Sequence, residues 1–295
     1  MSRDWESTFR SWGQAPSQAE RDKCENAEQA VRKAIAASSA LAERSIKVFA
    51  QGSYANRTNV RQDSDVDICV LCRDVFYYAL PAGVLRESYG ITPASYEYAQ
   101  LKNEVGAALS DYFGHAAVTR GNKAFDVHAN SYRVDADVVP TFEYRWYTSA
   151  SDYSGGTKFL PDNGGEVLNW PTQNYNNGVS KNQRTGERFK AMVRIMKRLR
   201  NEMNEATIGA AKPIPSFLNE CLVWNVSDGG FGHATYKEDV RHVIADLWHN
   251  TRTVDSCGEW GEINELKYLF RGGQPWTREQ TNTFLQAAWD YIGFQ

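Results

Sequence analysis

Asp65-Val66-Asp67 passes without a break into Ile68-Cys69-Val70-Leu71. A short apolar run of this kind predicts a buried strand. Side chains alternate faces along a strand, so Asp65 and Asp67 share one. Two carboxylates side by side at the mouth of a core strand repel each other and lose solvation, which is costly unless something compensates. A hard cation such as Mg²⁺ does so, because it takes carboxylate oxygens. A solvated strand end is the plain alternative for a single Asp-x-Asp, and Asp63, earlier and of the same parity, illustrates it. The pattern then repeats in Arg133-Val134-Asp135-Ala136-Asp137-Val138-Val139-Pro140. Asp137 abuts the two valines and is better placed for burial than Asp135, so it is the favoured third acid. Three carboxylates on two neighbouring strands can hold two metal ions about 4 Å apart, the arrangement for in-line displacement at phosphorus.

Gln51-Gly52-Ser53-Tyr54 ends a predicted strand, and eleven residues separate Ser53 from Asp65. Glycine lets a backbone approach an anion closely, a helix start offers unpaired N–H groups, and Ser53 adds a hydroxyl. A Gly-Ser pair alone is an ordinary turn; its meaning comes from the acids that follow.

Around these motifs the periodicity predicts a helix over 17–44, with Ala30, Ala34, Ala37 and Leu41 as its packing stripe. Strands are expected over 45–51, 66–72, 123–128 and 132–139, and a helix over 93–113. Pro140 should end its strand, since proline cannot donate to a ladder. The Gly- and Asn-rich stretch from Ser149 to Gly186 reads as a hairpin and a connecting loop. Helices follow over roughly 185–205, 216–227, 236–252, 262–271 and 277–292. The expected division is therefore a mixed α/β lobe, 1–184, and a helical lobe, 185–295. A cleft between two such lobes is a usual small-molecule site.

Composition narrows the function. The 295 residues, 42% hydrophobic and 13% aromatic, can build a sizeable core. The formal net charge of −3 suits small nucleotides better than a long nucleic acid, which selects basic surfaces. The five cysteines form no disulfide framework, and the one Cys-x-x-Cys, Cys69 and Cys72, lies on a strand with no second ligand pair. The five histidines show no catalytic pairing, and His115 and His128 read as structural or solvated. With no apolar N-terminal leader and no run of about 18 apolar residues, the expectation is a soluble, cytoplasmic protein with no membrane partner.

Together, Gln-Gly-Ser-Tyr-Ala-x-x-Thr (51–58), Ser-Asp-Val-Asp-Ile (64–68) and Asp-Val-Val-Pro (137–140) resemble the DNA polymerase β-like nucleotidyltransferases. The finer match is to the cGAS/DncV-like nucleotidyltransferases (CD-NTases) of bacterial anti-phage CBASS systems. Asn176 to Asn182, with Arg188-Phe189-Lys190 and Met192 to Arg198, looks most like the CdnE-type clade. The resemblance spans about residues 45–230. It implies an α+β fold, a polymerase β-like core of mixed sheet and helices plus a helical C-terminal lobe. It also implies an activity: Mg²⁺-dependent joining of two or three nucleoside triphosphates into a cyclic messenger with release of pyrophosphate. Two Mg²⁺ ions at Asp65, Asp67 and Asp137 are implied, with Mn²⁺ as a substitute, and so is a separate effector for the product. Arg57 stands where a small residue is expected before Thr58.

The nucleotide contacts follow from the same resemblance. Lys190, Arg194 and Lys197 recur on one face of the helix over 185–205, and the family match points to Lys197, then Lys190, as triphosphate contacts. A solvated basic face explains the pattern equally. Ser216 reads as a natural N-cap and, by resemblance, a phosphate contact. Phe217 matches a position near the base, or packs in the core. Asn169, opening a loop to Asn177, offers both donor and acceptor to a base edge, and by resemblance goes with acceptance of UTP beside ATP or another triphosphate. A monomer with no stable nucleic-acid partner is expected. Two rivals stay open: a related nucleotidyltransferase that makes a linear product or modifies tRNA or protein, and a nucleotide-binding module without turnover.

Overall fold

Two strands of 14 residues, Val66–Ala79 and Ala136–Ser149, run parallel at the centre of a mixed sheet. The computed structural model describes residues 3–60 and 65–295. Asp63 and Ser64 therefore lie outside the described residues. In chain order the helices are α1 (Trp5–Trp12), α2 (Gln18–Ala36), α3 (Gly52–Asn56), α4 (Tyr98–Phe113), α5 (Pro171–Arg184), α6 (Arg188–Glu205), α7 (Ser216–Asn225), α8 (Tyr236–Asn250), α9 (Val254–Cys257) and α10 (Arg278–Ile292). The strands are β1 (Ile46–Gln51), β2 (Val66–Ala79), β3 (Val118–Arg120), β4 (Phe125–Val127), β5 (Ala136–Ser149), β6 (Asp152–Phe159) and β7 (Val167–Asn169).

The chain forms two compact units. One gathers Ser17–Ala55 and Gln62–Thr172; the other gathers Met1–Pro16, Asn56–Arg61 and Gln173–Gln295. This differs from a simple cut at 184/185: α1, α5 and the short segment around Thr58 all group with the later helices.

In the first unit the strand order is β1-β2-β5-β4-β3, with β6 and β7 added beyond the second half of β5. β2 and β5 are parallel, and every other pairing is antiparallel. The core face of the sheet packs against α2 and α4 through Val66, Ile68, Val70, Val138 and Phe142. Ser17 and Glu20 form a reciprocal capping box that starts α2. This helix stops at Ala36, short of the expected Arg44, and its buried stripe is Cys24, Ala27, Val31, Ala34 and Ile35. Ala30 and Ala37 fall outside that stripe.

Pro140 does not end β5. The β4 pairing stops at Val138 and the β6 pairing starts at Phe142. Pro140 falls in the gap, where a missing N–H costs no ladder bond on that side. On its other side it pairs with Val70, and its carbonyl accepts from Tyr98 Oη at 3.1 Å.

The second unit is helical. Its core runs from Phe9 through Met192, Met196, Leu199, Leu218, Leu222 and Leu247 to Phe284. α6 is buried around most of its circumference, Lys190, Arg194 and Lys197 included. The stretch expected to be a loop after Asn169 is instead α5, with Pro171 at the first helical position, where no N–H is needed. Its asparagines serve tertiary contacts: Asn177 Nδ2 donates to Ile263 O at 2.7 Å, and Asn182 Oδ1 accepts from Lys190 N at 2.9 Å. The helix expected over 262–271 is absent; a bridge between Gly261 and Tyr268 closes a turn there. No described helix is long and apolar enough to cross a membrane.

Gly106 on α4 sits against β4: a Cβ there would lie 2.7 Å from two Phe125 ring carbons. Gly106→Ala is expected to destabilise the protein by about 1–3 kcal/mol through overpacking, read as a lower midpoint in urea unfolding.

Candidate active site

The sheet register places the acids. Gln51 pairs with Asp67 and Asp67 with Asp137. Asp137 pairs in turn with Asp126, and Asp126 with Thr119. Adjacent strands lie about 4.8 Å apart, and register partners point to the same face. Gln51, Asp67, Asp137 and Asp126 therefore form one transverse row. Asp65 lies one residue before β2 and is exposed.

Gly52 follows Gln51 with φ 65°, in the left-handed region, and opens α3. A Cβ at this position would fall 2.3 Å from Asp67 Oδ2. Both conformation and space demand glycine, so the Asp67 carboxylate lies directly against the backbone that begins α3. Ser53, half-buried, follows in the first turn, where helix N–H groups have no intrahelical acceptor.

Crowding leaves an electrostatic mark. Partial burial, then the charge of Asp67, a hydrogen bond with Asp126 and the charges of Asp126 and Asp65 push the Asp137 carboxyl up to about 7. A cation among these oxygens relieves that repulsion. Asp135 behaves differently: it is exposed, and its Oδ1 accepts from Ala129 N at 2.6 Å, which fastens the turn before β5. Asp126 was not anticipated from sequence. Its signal was an acid between two core residues, Phe125 and Val127, but only the β4–β5 register sets it opposite Asp137. Among the described residues no three His, Cys, Asp or Glu side chains form a ready metal cage. Magnesium does not require one, since it is bound by one or two carboxylates with waters and substrate phosphates completing its shell. An all-oxygen, mutually repelling set suits such an ion.

In the sheet unit, Asn169 ends β7 opposite Thr157, which pairs with Glu143 of β5. The register thus sets it six residues further along β5 than Asp137, outside the carboxylate row. Its carbonyl lies close to Gly156, where a Cβ would come within 2.7 Å.

In the helical unit Lys190, Arg194 and Lys197 of α6 are all buried, which excludes a solvated basic face for these three. Arg194 donates to the carbonyls of Gly13 at 2.9 Å and Arg57 at 2.6 Å. Arg57 has φ 57°, and that hydrogen bond helps hold it there. Lys197 is 3% exposed and pairs with Glu220, while its ammonium also reaches Thr58 O at 3.2 Å. Thr58 Oγ1 donates to the same Glu220 oxygen at 2.6 Å. Lys197, which the family match implies as a triphosphate contact, is thus held here in an internal ion pair. Lys190 is the cation of the three that no carboxylate pairs with among the described residues; its ammonium faces the Tyr175 ring at 5.8 Å. Burial, followed by the nearby charge of Arg57, depresses its pKa, and an anion would reverse that. Ser216 is not an N-cap: Pro215 holds that position, and Ser216 Oγ instead accepts from Arg200 Nη2 at 2.5 Å. Phe217 packs at the core edge, its ring 6.4 Å from that of Trp276.

Comparison with known proteins follows the same lines. Residues 176–293 match the family described as the cGAS/DncV-like nucleotidyltransferase C-terminal helical domain. A cyclic dipyrimidine nucleotide synthase, CdnE, of Legionella pneumophila is 49% identical over 99% of both chains. Another, of Cecembia lonarensis, is 43% identical over the full length of both. The solved structure of the Rhodothermus marinus CdnE c-UMP-AMP synthase with Apcpp and Upnpp superposes with a TM-score of 0.85 at 30% identity, covering 98% of this chain and 97% of that one.

Three outcomes test the geometry. Gly52→Ala should cost about 10²-fold in kcat/KM, the scale of a small misplacement at a reacting centre, with the circular dichroism spectrum unchanged. Lys197→Met leaves Glu220 buried without a counter-ion, and should destabilise the fold by about 3–5 kcal/mol in urea unfolding. Because the folded chain binds the Asp137 proton more tightly than the unfolded chain, that group's contribution to stability is complete below about pH 4 and lost as the pH rises through about 7. The Tm of the metal-free protein minus that of Asp137→Asn should therefore fall as the pH is raised across this window.

Proposed function

The chain belongs to the CdnE clade of the cGAS/DncV-like nucleotidyltransferases, and we propose that it joins two pyrimidine nucleoside triphosphates into a cyclic dinucleotide messenger. The nucleotidyltransferase chemistry is that of the family; the choice of base is the finer step. The observation that carries the chemistry is the row Asp67–Asp137–Asp126 with Gly52 against Asp67. The choice of pyrimidines is supported by the full-length relatives at 49% and 43% identity, both cyclic dipyrimidine nucleotide synthases. Anti-phage signalling through a separate effector is the setting this family implies.

Asp65, Asp67 and Asp137 would hold divalent cations, magnesium by the chemistry of the donors, with manganese a workable substitute. When bound, such ions lower the pKa of the attacking hydroxyl and stabilise the charge on the leaving pyrophosphate. The chain's own groups supply the rest. Gly52 lets the start of α3 approach the triphosphate, and the Ser53 hydroxyl offers a further donor. The crowding that raises the Asp137 carboxyl to about 7 favours a cation beside it, since positive charge stabilises the ionised form. Asp126 acts as a positioning residue by holding the Asp137 carboxyl in the row. Lys190 supplies an unpaired positive charge for phosphate oxygens. Asn169 is assigned to the base, which is a separate task from phosphate binding.

Asp67→Asn should abolish pyrophosphate release while leaving the fold intact; normal turnover in that variant would remove Asp67 from the mechanism. The substrate reading is tested by incubating the enzyme with each pair of labelled nucleoside triphosphates and identifying products by mass spectrometry after phosphatase treatment. A phosphatase-resistant cyclic dipyrimidine product is expected with UTP or CTP. A linear product, or a purine-only ring, contradicts the proposal. Asn169→Ala should lower the share of pyrimidine in the product if Asn169 reads the base.

A further inference from the structure

The sheet unit carries a cavity of ≈ 690 Å³ separate from the carboxylate row, walled by α2, the end of α4 and the connection from β4 to β5. That size is typical of a small-molecule site. Lys33 enters it from α2, Tyr112 and Phe113 from α4, and Tyr132 and Arg133 from the connection. In a chain with 36 acids against 33 bases, none of the residues lining this cavity is a carboxylate.

The wall is built rather than loose. Asn130 Oδ1 accepts from the backbone N–H groups of Tyr132 at 2.9 Å and Arg133 at 3.0 Å, and Asn26 Nδ2 donates to Tyr132 O at 3.0 Å. The Arg133 guanidinium lies 4.7 Å from the Phe113 ring centroid and donates through Nη2 to His128 O at 3.0 Å. Its Nε is buried without a hydrogen-bond partner, so the group keeps donor capacity in reserve. Two aromatic rings remain available, Tyr132 at 68% exposure and Tyr112 at 46%. Cations in a lining that holds no carboxylate, the nearby Asp135 being tied to the Ala129 N–H, favour an anion, and open aromatic faces favour a flat ring.

We propose that this cavity is a second, non-catalytic binding site for a nucleotide-class anion, a phosphate ester carrying a flat base. Lys33 and Arg133 receive the phosphate, and Tyr112 and Tyr132 flank the base. The connection that forms the wall leaves β4 just after Asp126 and enters β5 just before Asp137. An occupant therefore rests on the segment joining two members of the acid row, which makes the site a handle on turnover. The enzyme's cyclic product and free nucleoside phosphates share this chemistry.

Photo-crosslinking of the wild-type enzyme with 4-thio-UMP, followed by peptide mapping, tests the assignment. The expected label falls on the peptide containing Tyr112 or Tyr132 and drops about tenfold in Lys33→Glu. Unlabelled cyclic di-UMP or UMP should displace it, and whichever does so at the lower concentration identifies the source of the ligand. Inorganic phosphate at the same concentration should not. Tyr132→Ala serves as a second variant, because the ring is exposed and the backbone hydrogen bond to Asn26 survives. Label confined to the catalytic peptides, label unchanged in both variants, or equal displacement by inorganic phosphate overturns the proposal.

Discussion

The parallel pairing of β2 with β5 is the constraint on which the site depends. It puts Asp67 opposite Asp137, and two like charges on adjacent strands are unfavourable unless a cation is the intended third party. Every other feature of the row follows from this pairing. β1 extends it on one side to Gln51, so that the chain turns into α3 against the Asp67 carboxylate. β4 extends it on the other side to Asp126. A one-residue slip of β5 would turn Asp137 into the core and Val138 out of it, so the apolar pattern that builds the sheet also fixes the site.

The helical unit uses charge differently. Lys197 and Thr58 converge on one Glu220 oxygen, and Arg194 directs its donors to backbone carbonyls. Such groups are costly to bury singly and economical when mutually satisfied. They hold the chain at Arg57 and Thr58, just after α3. Lys190, on the same face, has no carboxylate partner among the described residues, in contrast to Lys197.

Much of this was legible in the sequence. Acids at the mouths of apolar strands contradict local expectation, and such contradictions mark sites. The shared face of Asp67 and Asp137 on core strands was readable for that reason, as were the main strands and most later helices. Asp126 was not, because strand pairing between β4 and β5 is a tertiary choice. Pro140 misled because its tolerance depends on a gap between two neighbouring strands. α5 was hidden by asparagines whose usual competition with a helix is redirected to tertiary acceptors. Lys197 and Ser216 show the limit of a motif: sequence displays a charge or a hydroxyl but not the group already holding it.

The way the chain is shared between the units bears on modularity. Arg194 and Lys197 satisfy their donors with carbonyls of Gly13, Arg57 and Thr58, all outside the 176–293 stretch that matches the family's helical domain. That stretch alone would leave Arg194 without those carbonyls and Lys197 with Glu220 as its partner but without Thr58. The helical half is thus not a cassette that can be excised, swapped or inherited by itself; its closure is completed by strands of chain borrowed from far upstream.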